Sequence, residues 1–206
     1  MRKKERGGDA MTAPRRLGSP DAKNRTVLLD AAEALLREEG YAAVTSRRLA
    51  AKAGLKPQLV HYYFQTMDEL FLAVLARLAE AGIKHQARAL AGPQPLWALW
   101  ESGRHSADAT LTFELIALSR NRPAIRAALV EYAVRMRVEQ TEALARIERR
   151  GAASEVLDPA ALAFVIGTVT GNLGMERAIG MDVAHPETVA LVERYLRLLE
   201  GEREPR

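Results

Sequence analysis

The 206-residue chain contains no cysteine, which excludes disulfide staples and thiolate metal sites, and nothing points to an oxidising compartment. No run approaches the roughly 20 apolar residues that a membrane helix needs. The basic start, Met1 to Arg6, leads into "GGDAMTAPRRLGSP" instead of an apolar segment, so a secretory signal is not expected and a cytoplasmic location is. Period-two alternation and internal repeats are also missing, which argues against a sheet or a solenoid. The most specific absence is local: from Gly40 to Met67 there is no aspartate or glutamate, although 27% of the chain is charged. A segment without acids is suited to lie against a polyanion.

What is there suits one or two globular domains, with 48% hydrophobic residues to build a core. The net charge of +4 says little alone, but its placement says more. Basic residues gather in the first quarter, at Arg2, Lys3, Lys4, Arg6, Arg15, Arg16, Lys23, Arg25, Arg47, Arg48, Lys52 and Lys56. Residues 1–20, rich in Gly, Pro and charge, read as a flexible basic arm that could follow phosphates, and Met11 is a second candidate start.

Helical periodicity dominates the rest, and about nine helices are expected in an all-α fold. Ser19 and Pro20 open the first, Leu28, Ala32 and Leu35 give it an apolar face, and Gly40 ends it. A short second helix spans about Ser46 to Ala53, and a third begins near Lys56 and Pro57 and stops around Phe64. "TMDE", Thr66 to Glu69, has capping-box spacing and launches a fourth, to about Ile83. Beyond "AGPQP" follow Leu96 to Arg104, Ala107 to Ser119, a long helix from "NRP" to Arg150, one capped by Asp158 and Pro159 to near Gly180, and a last one from Pro186 to near Glu200. The expected units are the arm, a helix-turn-helix domain over 21–68, and a second helical domain over 69–206.

Only Gly54 and Leu55 separate the second and third helices. Glycine takes the positive φ of such a turn, and Ala50 is small enough for the two helices to close. Val60, Tyr63 and Phe64 share the inner side of the third helix, while Gln58, His61, Tyr62 and Gln65 share the outer. That outer face is polar, uncharged and aromatic, as a major groove requires: Gln58 can read adenine, His61 and Tyr62 can donate to phosphates or base edges, and Leu59 can touch a thymine methyl. Arg47 and Lys56 are placed to neutralise phosphates, and Thr45 with the free amides after it makes an anion site. The plainer reading, an αα-hairpin with a solvated basic face, does not account for Ala50, Gly54, the buried pattern and the missing acids together.

The run "ALLREEGYAAVTSRRLAAKAGLKPQLVHYYFQTMDELF", from Ala34 to Phe71, resembles the DNA-binding region of TetR-type transcriptional regulators, over about Arg25 to Leu75. The resemblance implies an all-helical homodimer with a variable C-terminal ligand domain, usually acting as a repressor on operator DNA. By position, the family's DNA contacts fall on Thr45, Arg47, Lys56, Pro57, Gln58, Leu59, His61 and Tyr62. Many members have tyrosine where His61 stands and a lysine where this chain has Met67, which removes a phosphate contact there. In similar proteins the last two helices pair with their symmetry mates. The expected dimer residues are Gly167, Gly171 and Gly174, which allow close helix approach, with Leu191, Tyr195 and Leu198 as an apolar stripe.

The middle helices are expected to wall a pocket for a small apolar or aromatic effector. Its expected lining is Trp97, Trp100, Phe113, Tyr132 and Met136, with His105, Glu114 and Asn172 as polar anchors. A second reading keeps DNA binding without a small molecule, under constitutive or partner control. A third makes the chain a helical enzyme on His105, Glu114 and Ser119, but no metal spacing, nucleophile elbow or phosphate-cradling loop supports it. No cofactor, metal or membrane partner is expected.

Overall fold

The computed structural model describes residues 20–104, 109–148 and 158–204. The described residues form nine α-helices: α1 (Pro20–Glu39), α2 (Ser46–Ala53), α3 (Pro57–Tyr63), α4 (Met67–Leu90), α5 (Pro95–Arg104), α6 (Ala109–Ser119), α7 (Pro123–Glu148), α8 (Pro159–Ala178) and α9 (His185–Glu200), with one 3-10 turn at Tyr41–Ala43. The arm before Pro20, His105, the expected helix start at Ala107 and the expected helix end at Arg150 lie outside the described residues.

Local chemistry sets most boundaries. The Thr66 hydroxyl accepts from the Glu69 N–H at 3.1 Å, and the Glu69 carboxylate accepts from the Gln65 N–H at 2.8 Å. Asp158 caps α8 by accepting from Ala161 N–H at 2.7 Å, ahead of Pro159. The fourth helix runs past Ile83 to Leu90, because Ile83, Gln86 and Leu90 keep its buried stripe going until Gly92 and Pro93. The 3-10 turn was not expected, and its cause is remote. Glu114 on α6 accepts from the Tyr41 N–H at 2.7 Å, and its carboxylate packs where a side chain on Gly40, at φ 79°, would meet it at 3.1 Å.

Two apolar clusters hold the helices together. The first joins α1, α2, α3 and the front half of α4 to Leu111, Leu115 and Leu118 of α6 and Ile125 of α7. It therefore crosses the boundary expected between residues 68 and 69. Arg77 on α4 reinforces it from outside, donating to Asp30 and Glu33 of α1 at 2.7 Å each. The second cluster gathers Leu90, Leu96, Trp97, Leu99 and Trp100 with residues of α7, α8 and α9. At Gly103 a Cβ would meet Thr170 Cβ at 2.7 Å, so glycine is what lets α5 and α8 approach.

Glu200, at the end of α9, supplies the cap that the start of α5 lacks locally. Its two carboxylate oxygens accept from Leu96 N–H at 3.0 Å and Trp97 N–H at 2.9 Å. Burial pushes this carboxyl above its ordinary pKa of 4.5, against the lowering effect of the two N–H groups. A raised folded-state pKa means that the proton-linked stabilisation is full below the unfolded value and is lost as pH rises through the folded one. The urea midpoint of the wild-type protein minus that of Glu200→Gln should therefore fall as pH climbs from about 4 to about 7. A constant difference would contradict this assignment.

Candidate nucleic-acid interface and the cavity behind it

The turn between α2 and α3 is closed by two backbone bonds, Leu55 N–H to Ala50 C=O at 2.9 Å and Gly54 N–H to Ala51 C=O at 3.2 Å. The first requires the left-handed conformation that Gly54 adopts, φ 64° and ψ 28°. Thr45 caps α2, its hydroxyl accepting from Arg48 N–H at 3.4 Å, and Pro57 occupies the first turn of α3. Leu49, Ala50, Val60 and Phe64 are buried in the first cluster. Gln58, His61 and Tyr62 face outward, Tyr62 with 60% of its surface exposed, while Leu59 is half-buried at the margin. Thr45, Arg47, Lys56 and Pro57 are exposed beside them, so all eight expected contact residues adjoin one surface formed by α2, α3 and their N-terminal turns.

The structure sorts the basic residues of this segment into two kinds. Arg48 is ion-paired with Glu39 and Lys52 with Glu38, both at the end of α1. Among the described residues Arg47 and Lys56 have no such partner, which leaves their charge for an external anion. Met67 turns inward, half-buried against the first cluster and accepting from the Ser46 hydroxyl at 3.7 Å, so it offers nothing to an external partner.

Behind this head lies a cavity of about 1140 Å³ between α4, α5, α6, α7 and α8. Tyr132 and Met136 line it as expected. The other expected lining residues stand elsewhere. Trp97 and Trp100 are buried in the second cluster, their indole N–H groups donating to Gly201 C=O at 3.1 Å and Glu193 at 3.4 Å, because large rings gain most by full burial. Phe113 is 38% exposed and does not line the cavity, Glu114 is engaged with Tyr41, and Asn172 donates to Glu176 at 2.8 Å on the outer side of α8. His105 lies outside the described residues.

Residues not anticipated from the sequence complete the wall, among them Leu75, Gly82, His85, Leu111, Leu115 and Arg137. Stepping by three and four along α7 from Tyr132 and Met136 reaches Leu129, Ala133 and Gln140, so part of this face was available from helical spacing. Gly167 also lines the cavity. Gly171 has no side chain of its own chain within 4 Å of a Cβ position, and Leu191, Tyr195 and Leu198 are exposed on α9.

Two short helices locked by a glycine turn, with an uncharged outer face on the second flanked by free cations, define a helix-turn-helix DNA-binding protein. Residues 28–74 match the family model of bacterial regulatory proteins, tetR family. The HTH-type transcriptional regulator BetI of Brucella suis is 27% identical over 187 residues, 84% of this chain and 90% of that protein. A regulator of Saccharomonospora viridis solved in complex with choline shares the fold, with TM-score 0.67, 19% identity, and 77% of this chain and 87% of that one covered. So does FadR of Bacillus subtilis in complex with stearoyl-CoA, with TM-score 0.63, 18% identity, and 86% and 99% covered. Over residues 28–74 the chain is similar to the TetR family of transcriptional regulators, and the relatives that it matches over most of their length are HTH-type transcriptional regulators.

Gly54 has open space around it, so Gly54→Ala tests conformation alone. The left-handed backbone should cost about 1 kcal/mol of stability, read from thermal or urea unfolding. No loss would mean that the turn relaxes to another geometry.

Proposed function

We propose that the protein is a homodimeric repressor that seats α3 in successive major grooves of an operator and leaves it when a small molecule fills the cavity. The observation that carries this reading is the double membership of Leu75, Leu111 and Leu115, which wall the cavity and also belong to the apolar cluster in which α3 is seated. A ligand that spreads α4, α6 and α7 must shift the base on which the reading helix rests. Glu114 extends the link, since α6 also holds the turn that precedes α2. The solved neighbours that contain choline and stearoyl-CoA support a ligand-responsive reading.

In this reading Gln58 and Leu59 contact base edges, His61 and Tyr62 donate to phosphates or base edges, and Thr45, Arg47, Lys56 and Pro57 contact the phosphate backbone. The dimer would form through α8 and α9, where Phe164, Val165, Met175, Ile179, Leu191, Tyr195 and Leu198 leave large apolar surfaces exposed. Half-sites about 34 Å apart need such a rigid pair. The protein would act in the cytoplasm, where chromosomal DNA lies. Among the described residues no helix is long and apolar enough to cross a membrane.

Selection of bound genomic fragments provides the operator for two tests. Gln58→Ala should cost about 1–3 kcal/mol on the selected site and relax the preference at one base pair, whereas Lys56→Ala should weaken all sequences alike and reduce the salt slope by about 1. Equal binding of selected and random duplex at modest salt would defeat the reading. Coupling is tested by reciprocity: a ligand that weakens operator binding a hundredfold, about 2.7 kcal/mol, must itself bind a hundredfold more weakly to the DNA complex. Equal ligand affinities with and without operator would leave a constitutive regulator.

A further inference from the structure

The charges in the cavity wall are unbalanced, and one of them has no counter-charge. Arg126, Arg137 and Arg203 contribute to the lining, with His85, against a single carboxylate among the described residues, Glu101. Glu101 is ion-paired with Arg203. Arg126 is spent on the end of α6, where Nε donates to Ser119 C=O at 3.3 Å and Nη2 to Arg120 C=O at 2.8 Å. Arg137 differs from both. Among the described residues no carboxylate lies within ion-pair distance of it, and its Nη1 is closed to water without a hydrogen-bond acceptor. The guanidinium is held from one side by the Phe164 ring, whose centroid is 5.1 Å away. Nη2 lies 3.8 Å from the Cβ position of Gly167, itself a lining residue. A cation half-buried in an apolar wall, stacked on a ring and with one buried N–H group lacking an acceptor, is stabilised when an anion arrives.

Around it the cavity is mainly apolar, with Leu78, Leu111, Leu115, Ile116, Leu129 and Met136. The other polar groups near Arg137 are committed: Gln140 donates to the Gln86 carbonyl at 2.6 Å, and Gln86 donates to Met136 C=O at 3.1 Å. From this arrangement we infer that the cavity takes an amphipathic organic anion, a carboxylate on an apolar body, with Arg137 as its counter-ion. Such binding requires a turn of the terminal side-chain torsions that brings the Nη1 donor to the carboxylate, a planar group that the guanidinium fork suits. The same wall disfavours a quaternary ammonium, because its one acid is already paired. This rests on the cavity being the effector site of the proposed repressor.

The test uses the full-length protein and two apolar bodies, a decyl chain and a naphthalene ring, each bearing a carboxylate, a hydroxyl or a trimethylammonium group. Calorimetric titration at neutral pH should give the carboxylate at least about tenfold tighter binding than the alcohol on one body or both, and the ammonium the weakest binding. Arg137→Met should abolish the preference for the carboxylate while leaving the alcohol within about threefold, and Arg137→Lys should keep part of it. The retained binding of the alcohol shows that the variant is folded. Equal binding of carboxylate and alcohol, a preference for the ammonium, or no binding of any carboxylate overturns the inference. Operator release is read separately. A carboxylate that binds through Arg137 without freeing the DNA upholds the ligand class and defeats the repressor mechanism, whereas DNA release by the ammonium alone does the reverse.

Discussion

The packing of α6 beneath α1 and α4 is the constraint on which the rest of the molecule depends. Leu111 and Leu115 point into the cluster that also buries Leu49, Val60 and Phe64, and the same two leucines face the cavity. Close-packed interiors deform little, so a change of volume on one side of such a wall is passed to the other as a displacement of whole helices. The head has no core separate from α6. A three-helix module of this size buries too little apolar surface to be independent of what lies beneath it.

Polar contacts are arranged to keep that wall in register. Arg77 ties α4 to two acids of α1, Arg122 pairs with Asp68 and stacks over Phe71 at 5.5 Å, and Glu114 holds the turn ahead of α2. Arg77 and Glu114 stand on helices of the cavity wall and Arg122 in the turn between two of them, and each reaches an element of the head. Exposed ion pairs contribute little stability singly. Their consequence here is geometric, because they select one relative placement of helices whose apolar contacts alone would tolerate several.

The ion pairs also reshape the surface proposed to meet DNA. Four basic residues lie in the acid-free segment around the turn, yet two of them, Arg48 and Lys52, are neutralised by Glu38 and Glu39 from α1. The segment without acids in sequence is thus not without acids in space. What survives is a narrower positive field at Arg47 and Lys56, flanking the uncharged face of α3, which favours orientation on the duplex over indiscriminate adhesion.

By itself the sequence determined the elements whose causes are local. Thr66 and Asp158 announce helix starts because a hydroxyl or carboxylate reaches an amide only three residues away, and Gly54 announces the turn because its backbone angle needs no neighbour. The span of α2, the inner and outer faces of α3 and the all-helical class follow from the same short-range rules. Tertiary structure alone decided the 3-10 turn at Tyr41, capped from Glu114 across 73 positions of chain, the burial of Trp97 and Trp100 away from the cavity, and the isolation of Arg137 in its wall. Periodicity says which residues share a face. It does not say which second helix that face will meet, and the fate of a charge or an indole depends on that meeting.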